Sequence, residues 1–191
     1  LDNLGVPGLG WASDKPATLF FPAGTYRITR TLRIFALRDV SMVGEHPDTT
    51  LIRWDGQAGQ DMLVADGVAY SKWTRFTWDG AAKARTGVFH TQTPGGFAVS
   101  GLEHSDEVFK DLEVGILSRP EPQFGNGSEI TVLRCRFQRC SNAGMMTDNS
   151  FALEELMRHC VFEDCRVGAY VRDCSIHVYD CLFLRSTEAD I

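Results

Sequence analysis

Hydrophobic and polar residues alternate along most of the chain with the period of two that is typical of β-strands. Residues 17–34 and 40–56 alternate in this way and are interrupted by turns rich in Pro, Gly and His. No helical periodicity longer than about two turns follows Gly5. Residues 150–160 have a helical composition but lie inside a repeat that strands and turns describe better. Leu1–Leu4 predicts the last turn of a helix, so we expect an all-β chain with a short N-terminal helix remnant.

Five short units repeat along the chain after residue 80. They align on a small residue near the end of each unit, and these anchors are Gly87, Gly115, Gly144, Gly168 and Ala189. The intervals between the anchors are 28, 29, 24 and 21 residues. A period that varies this much excludes helical repeats of fixed length and is typical of a solenoid of short strands joined by turns of different length.

Aromatic and cysteine residues recur in the same register. A Phe precedes four of the anchors by six or seven residues: Phe109, Phe137, Phe162 and Phe183. Two cysteine columns follow, of which one contains Cys135, Cys160 and Cys181, and the other Cys140, Cys165 and then Ser186. Coils about 4.8 Å apart would stack these residues directly over one another.

The cysteine pairs allow three interpretations. A zinc site is disfavoured, because Cys-x4-Cys is at the long end of the usual ligand spacings and the pattern follows the coil period. Disulfides between stacked cysteines are geometrically conceivable at this coil spacing. The Phe and Val residues at matching positions favour buried, reduced thiols that pack as small hydrophobic groups.

Composition and charge narrow the class of protein. With 191 residues, 43% hydrophobic and 23% charged, the chain has ordinary usage and is long enough for a substantial core. No run approaches the roughly 18 apolar residues of a transmembrane helix. A net charge of −6 argues against nucleic acid or an anionic membrane as the main partner. The sequence has no initiator Met and no signal peptide, so we interpret it as a processed or excised piece.

The N-terminal strands resemble those of the pectate-lyase-like right-handed parallel β-helix superfamily. Four residues match its Phe-Pro-x-Gly-x-Tyr strand: Phe21, Pro22, Gly24 and Tyr26. Gly44 begins the second element, in which His46 replaces a second Gly. The resemblance implies one single-stranded, right-handed parallel β-helix over residues 1–191, with Leu1–Leu4 as the end of its capping helix and further coils after residue 191.

The family includes lyases, hydrolases, epimerases, phage tailspikes and adhesins, so the resemblance is specific for fold and not for activity. It implies a secreted or surface-located protein that acts on an acidic, uronic-acid-containing polysaccharide as a lyase or glycoside hydrolase. The alternative is a non-catalytic β-helix module, such as a tailspike shaft, an adhesin segment or a polysaccharide-binding repeat. The oligomeric state is open, and a trimer would accompany the tailspike alternative.

In this family the substrate groove usually follows the strands after the repeat anchors. If the residue after each anchor points inward, the next one points outward, which gives the column Phe89, Leu117, Met146 and Tyr170. Two positions further stand Thr91, Arg119, Asp148 and Arg172. The turns before the anchors contribute Arg85, Glu113, Asn142, Arg166 and Glu188.

These outward residues supply the candidate site. The candidates for catalysis are Asp148, Arg172, Arg119 and Glu113. The candidates for substrate binding, by ring stacking or by polar contact with a sugar, are Tyr170, Arg166, Asn142 and Glu188. Trp78, in the turn before Gly87, is a further candidate as a sugar platform, with packing in the core or at its rim as the alternative. The alternative is an ordinary solvated face with a ladder of ion pairs.

No metal ligand is assigned, and Ca²⁺ is the one cofactor considered. A uronate lyase needs carboxylates for Ca²⁺ and an Arg or Lys base, whereas an inverting hydrolase needs carboxylates roughly 6.5–9.5 Å apart. Residues 101–115 are the densest acidic stretch and would bind Ca²⁺ if they formed one turn, with a solvated turn as the alternative.

Overall fold

Short strands make up the regular structure of the protein. The computed structural model describes residues 17–96, 98–119, 128–149 and 152–191, and within these ranges the chain is all-β and contains no helix. Three consecutive strands form one coil, and the coils are numbered 1 to 7 along the chain. The strands, coil by coil, are β1 (Ala17–Phe21), β2 (Gly24–Ile28) and β3 (Leu32–Phe35); β4 (Val40–Gly44), β5 (Thr50–Trp54) and β6 (Leu63–Asp66); β7 (Lys72–Thr74), β8 (Thr77–Asp79) and β9 (Thr86–Thr91); β10 (Leu102–Ser105), β11 (Val108–Lys110) and β12 (Val114–Ser118); β13 (Ile130–Leu133), β14 (Arg136–Gln138) and β15 (Ala143–Asp148); β16 (Glu155–Arg158), β17 (Val161–Glu163) and β18 (Val167–Arg172); β19 (Ile176–Tyr179) and β20 (Leu182–Leu184).

The strands assemble into three parallel sheets. Sheet A contains every third strand from β1 to β19, sheet B every third strand from β2 to β20, and sheet C every third strand from β3 to β18. Each strand therefore pairs in parallel with the strand three further along the chain. This topology is consistent with a parallel β-helix, in which each coil contributes one strand to every sheet.

A stack of aromatic rings runs through the interior on sheet B. The predicted Phe column is confirmed, since Phe109, Phe137, Phe162 and Phe183 lie in register. Their successive ring centroids are 5.1, 4.7 and 4.8 Å apart and the rings are nearly parallel. Burying one such ring stabilises the fold by about 1.5–3 kcal/mol, so this column is a large part of the core.

The four anchor glycines, Gly87, Gly115, Gly144 and Gly168, are positions where only a hydrogen fits. A Cβ atom on Gly115 would lie 2.5 Å from the carbonyl oxygen of Gly144 and 2.6 Å from Cδ1 of Phe137. The expected anchor Ala189 is wrong by one residue, because Ala189 pairs with Val167 and Asp190 is therefore opposite Gly168. The reason is that the last turn is one residue longer: Asp190 lies seven positions after Phe183, whereas Gly168 lies six positions after Phe162.

Left-handed residues with charged side chains make the corner between sheets B and C. Asp111, Arg139, Asp164 and Arg185 each follow a sheet B strand and have φ values of 54°, 53°, 55° and 55°. Ion pairs join Arg139 to Asp111 and Arg185 to Asp164, with Nε to Oδ1 distances of 2.7 and 2.6 Å. A left-handed residue other than Gly costs roughly 1–2 kcal/mol. The charge alternation between coils offsets part of that cost.

Five of the six cysteines lie in the predicted columns, Cys174 lies outside them, and none of the six forms a disulfide. Cys135, Cys140, Cys160 and Cys165 are buried free thiols, while Cys174 and Cys181 are half-buried.

Two other expectations concern helices. The helix remnant at Leu1–Leu4 lies outside the described residues. The helix-like stretch at 150–160 contains strand β16, as the repeat indicated. No helix among the described residues is long and apolar enough to cross a membrane.

Candidate functional site

The outer face of sheet C carries two parallel columns of side chains. Strand register places the first column as Arg33, Val64, Phe89, Leu117, Met146 and Tyr170. The second column, two positions further along each strand, contains Phe35, Asp66, Thr91, Arg119, Asp148 and Arg172. The residues directly before the first column, Val88, Ile116, Met145 and Ala169, point into the core and are buried, as the alternation predicted.

The middle of the first column is an apolar stripe that packs outside the main core. Phe89 and Leu117 form a small cluster with Val114, against which Val64 and Met146 also pack. The guanidinium carbons of Arg85 and Arg119 lie 5.6 and 5.9 Å from the centroid of the Phe89 ring. Two cations therefore flank this ring in cation–π geometry.

Tyr170 is the exposed aromatic residue of this stripe, with 40% of its surface accessible. It lies on coil 6 beside Met146, while Phe89 on coil 3 is only 4% exposed. The ring of Tyr170 is therefore open for stacking with a planar ligand. The ring of Phe89 is covered by Arg85 and Arg119, so a ligand there would contact the two arginines instead.

Asp148 and Arg172 form a bidentate ion pair across adjacent coils. Nε and Nη2 of Arg172 donate to the two carboxylate oxygens of Asp148 at 2.7 and 2.6 Å. The hydrogen bond and the charge of Asp148 raise the pKa of Arg172. Both oxygens of Asp148 are thus engaged, whereas a general base or nucleophile needs a carboxylate that faces the substrate.

The second carboxylate of the same column is Asp66. It is fully buried and accepts hydrogen bonds from the backbone N–H and the hydroxyl of Thr93, both at 2.8 Å, and from Arg33. Three coils separate Asp66 from Asp148, which is about 14 Å at the usual spacing of parallel strands. That distance exceeds the roughly 6.5–9.5 Å of an inverting glycosidase and the still shorter distance of a retaining one.

Glu113 does not join Asp148, Arg119 and Arg172. Glu113 aligns with Asn142, and the backbone N–H of Asn142 donates to the carbonyl oxygen of Glu113 at 2.9 Å. Asn142 lies six residues before Asp148 on one strand, which is roughly 20 Å at about 3.3 Å per residue. The expectation of one catalytic set that includes Glu113 is therefore corrected.

Glu113 instead lines a shallow cleft of about 470 Å³ at the corner between sheets B and C. Charged and polar residues share this lining, namely Lys83, Asp111, Arg139 and Ser141.

The predicted turn residues of coils 5 to 7 do lie together. Arg166 donates to Glu188 at 2.7 Å and to the side-chain oxygen of Asn142 at 2.6 Å. On coil 3, Arg85 makes a bidentate pair with Asp61 at 2.8 and 2.6 Å. Each arginine is thus held in place by a neighbouring coil.

Trp78 is not a sugar platform, which corrects the expectation from its sequence. Its side chain is fully buried in the core, and its indole N–H donates to Oε1 of Glu107 at 2.8 Å. Trp78 stacks on Phe109 and so continues the aromatic column by one coil. No face of its ring is open to a ligand.

A chain of buried polar residues, which the alternation did not predict, crosses the interior. Nδ1 of His104 lies 2.6 Å from Oε2 of Glu107, and Nε2 of His104 lies 2.8 Å from Nε2 of His90. Trp73 stacks on His104 with centroids 5.2 Å apart. Burial, and then the neighbouring His104, lower the pKa of His90 well below its usual value. With every member fully buried, the chain stabilises the core and cannot reach a substrate.

The acidic stretch 101–115 does not gather into one turn. Glu103 pairs with Lys72 at 2.6 Å and Asp106 with Arg134 at 2.7 Å, while Glu107 points into the core. Within the described ranges, no three His, Cys, Asp or Glu side chains are grouped so that they could hold a metal ion. Glu103, Asp106 and Asp111 therefore serve separate ion pairs, and the stretch does not form the single turn that the Ca²⁺ expectation requires.

A further buried acid lies on sheet A. Glu155 is fully buried and accepts a 2.6 Å hydrogen bond from the hydroxyl of Thr147. Burial raises the pKa of Glu155 to about 7 in spite of that hydrogen bond.

Comparisons with known proteins give little further information. No protein-family model matches the chain, and no curated protein matches it. A solved structure, ORF18 of Geobacillus virus E2, is similar over 98% of this chain with 14% sequence identity and a TM-score of 0.41. The similar region covers 56% of that viral chain, so this chain spans little more than half of its length.

Proposed function

We propose that the chain is a single-stranded, right-handed parallel β-helix of the pectate-lyase-like type that binds an extended, uronic-acid-containing polysaccharide without cleaving it. The ligand lies along the outer face of sheet C, across the coils. The observation that carries this proposal is the apolar column ending in the exposed ring of Tyr170, beside a column that holds Arg119 and Arg172.

The chemistry of this face suits a polysaccharide. An exposed aromatic ring stacks on the apolar face of a pyranose, and guanidinium groups pair with uronate carboxylates. Arg172 uses Nε and Nη2 for Asp148, so Nη1 is the nitrogen that we propose pairs with a uronate carboxylate. Coils repeat about every 4.8 Å, a distance comparable to the advance of one sugar residue in an extended chain, so successive coils meet successive sugars.

The carboxylates of this face favour binding over cleavage. The carboxylate of Asp148 is bound by Arg172. Asp66 is buried, accepts hydrogen bonds from Thr93 and lies three coils away from Asp148. Glu113 lies at the opposite end of the strands. A hydrolase needs two carboxylates on either side of one glycosidic bond, and these three do not provide such a pair. We therefore also propose a secreted or surface location for the protein.

The test is a binding assay on a panel of uronic-acid polymers with neutral polymers for comparison. We expect Tyr170→Ala and Arg172→Ala each to weaken binding to the recognised polymer about tenfold, which corresponds to about 1.4 kcal/mol. Tyr179→Ala is the matched control, because Tyr179 is also exposed, at 53%, but lies on sheet A. Its affinity should equal that of the unaltered protein.

Three outcomes would overturn the proposal. One is the release of unsaturated uronates or new reducing ends from any polymer, lost on substitution of Asp148 or Arg172, which would make the protein a lyase or a hydrolase. The second is an affinity that Tyr179→Ala reduces as much as Tyr170→Ala. The third is no binding to any polymer of the panel.

A further inference from the structure

Cys140 and Cys165 form an isolated pair of stacked thiols at the corner between sheets B and C. The N–H of Arg166 donates to the carbonyl oxygen of Cys140 at 3.0 Å, which places the two cysteines in the same position of coils 5 and 6. Parallel neighbours in register lie about 4.8 Å apart, within the Cα separation of disulfides.

The side chain of Cys165 leans toward the coil that holds Cys140. Its Sγ atom lies 3.7 Å from the carbonyl oxygen of Phe137 in coil 5 and 3.6 Å from that of Glu163 in its own coil. The two thiols interact directly, and this contact lowers the pKa of Cys165 while it raises that of Cys140. Cys165 is therefore the thiol of the pair that ionises more readily, and it acts as the nucleophile.

Cys140 and Cys165 can form a disulfide only with each other within their column, because the residues on either side of them are not cysteines. Leu112 precedes Cys140 in the column and Ser186 follows Cys165, as the backbone hydrogen bonds of the adjoining turns show. The other column contains three cysteines, so its members compete with one another. Burial also raises the pKa of Cys160 there to about 12, which suppresses its thiolate.

We propose that Cys140 and Cys165 are a redox site that closes to a disulfide in an oxidising environment and staples coil 5 to coil 6. With glutathione disulfide as oxidant, the Cys165 thiolate attacks one sulfur and releases a glutathione thiolate. The thiol of Cys140 then loses its proton and attacks Sγ of Cys165, which releases the second glutathione. The two protein thiols lose two electrons and two protons, and one glutathione disulfide becomes two glutathione thiols.

The bond closes a loop of 25 residues, the separation of Cys140 and Cys165 in the sequence. A loop of this length reduces the conformational entropy of the unfolded chain, so the cross-linked protein melts at a higher temperature. We expect a rise in Tm of about 10 °C for a chain of this size. This inference is independent of the proposed polysaccharide binding.

The experiment compares two samples in a glutathione redox buffer, one kept folded and one refolded from denaturant so that access to the buried thiols is not limiting. Free thiols are alkylated and the peptides are mapped without reduction. We expect one cross-link, between the peptides of Cys140 and Cys165, and alkylation of the other four cysteines. Cys140→Ala and Cys165→Ala should abolish both the cross-link and the rise in Tm. Cys174→Ala is the matched control, since this half-buried thiol lies outside both columns.

The peptide map of the unaltered protein decides the question even if a variant fails to fold. Alkylation of all six cysteines after refolding under oxidising conditions would overturn the proposal. A cross-link between any other two cysteines, or a cross-linked protein whose Tm is not raised, would overturn it equally.

Discussion

His104 and Glu107 form a hydrogen-bonded pair in the interior, with Nδ1 of His104 at 2.6 Å from Oε2 of Glu107 and both side chains inaccessible to solvent. Oε1 of the same carboxylate accepts the indole N–H of Trp78. Glu107 thus satisfies two buried donors that come from two coils. Groups of this kind are costly to leave unpaired, so the pair is a point of structural sensitivity.

The first prediction is that Glu107→Gln destabilises the protein by about 3 kcal/mol. An amide has one acceptor oxygen, so its NH₂ group must face either the Trp78 or the His104 donor. The measurement is equilibrium denaturation of both proteins. Glu103→Gln is the control, because Glu103 forms a partly exposed pair with Lys72 and should cost no more than about 1 kcal/mol. Equal losses for the two variants would contradict the prediction.

The second prediction concerns an anchor glycine. Gly115→Ala should destabilise the protein by about 1–3 kcal/mol, because the new Cβ would meet the backbone of Gly144 and the ring of Phe137 at 2.5 and 2.6 Å. Gly24→Ala is the matched change, since its Cβ would find its nearest neighbour, Tyr26, at 3.8 Å. That variant should be neutral or slightly more stable in thermal denaturation. A stable Gly115→Ala protein would show that the coils can separate at this point without cost.

Much of the fold could be predicted from the sequence, because stacking in register repeats the same environment every coil. Phe109, Phe137 and Phe162 therefore reveal their column by spacing alone. Trp78 extends this column one coil back, but the repeat anchors begin only at Gly87, so the spacing does not assign Trp78 to the column. Only in the folded chain does Trp78 stand opposite Phe109.

The polar interior could not be predicted in the same way. His90 and His104 are 14 residues apart and lie on different sheets, so only the folded chain brings their nitrogen atoms to 2.8 Å. The alternation rule assigns polar residues to the outer face by default. The separation of Glu113 from Asp148, by contrast, follows from the sequence, because Asp148 lies six positions after Asn142, the residue aligned with Glu113.

The third prediction is a pH dependence of stability that arises from Glu155. Burial raises its pKa from 4.5 to about 7 in the folded state, so the folded protein binds the proton more tightly than the unfolded chain does. The stabilisation is complete below pH 4.5 and is lost as the pH rises through about 7. Its size is on the order of 3 kcal/mol.

Glu155→Gln removes this titration, so the difference in unfolding free energy between the two proteins should change by about that amount between acidic and neutral pH. The difference is the appropriate measure, because His90 acts in the opposite sense in both proteins: its lowered pKa costs stability as the pH falls below 6.5. Parallel pH profiles for the two proteins would refute the assignment to Glu155.

The last prediction separates a binding role of Asp148 from a catalytic one. In Asp148→Asn the amide oxygen still accepts one hydrogen bond from Arg172, but the neutral side chain no longer offsets the charge of the guanidinium. The positive charge of Arg172 is then no longer offset by a neighbouring carboxylate and attracts a uronate more strongly. Affinity for the recognised polymer should therefore stay the same or rise by up to about threefold, which is less than 1 kcal/mol. The measurement is binding of both proteins at low and at moderate ionic strength, and any gain should shrink with added salt because the contact is exposed.

Arg158→Ala, which removes an exposed arginine on sheet A, controls for a general change in surface charge. A tenfold loss of affinity in Asp148→Asn would instead mean that the carboxylate itself contacts the sugar. A loss of product formation with binding intact would assign Asp148 to catalysis.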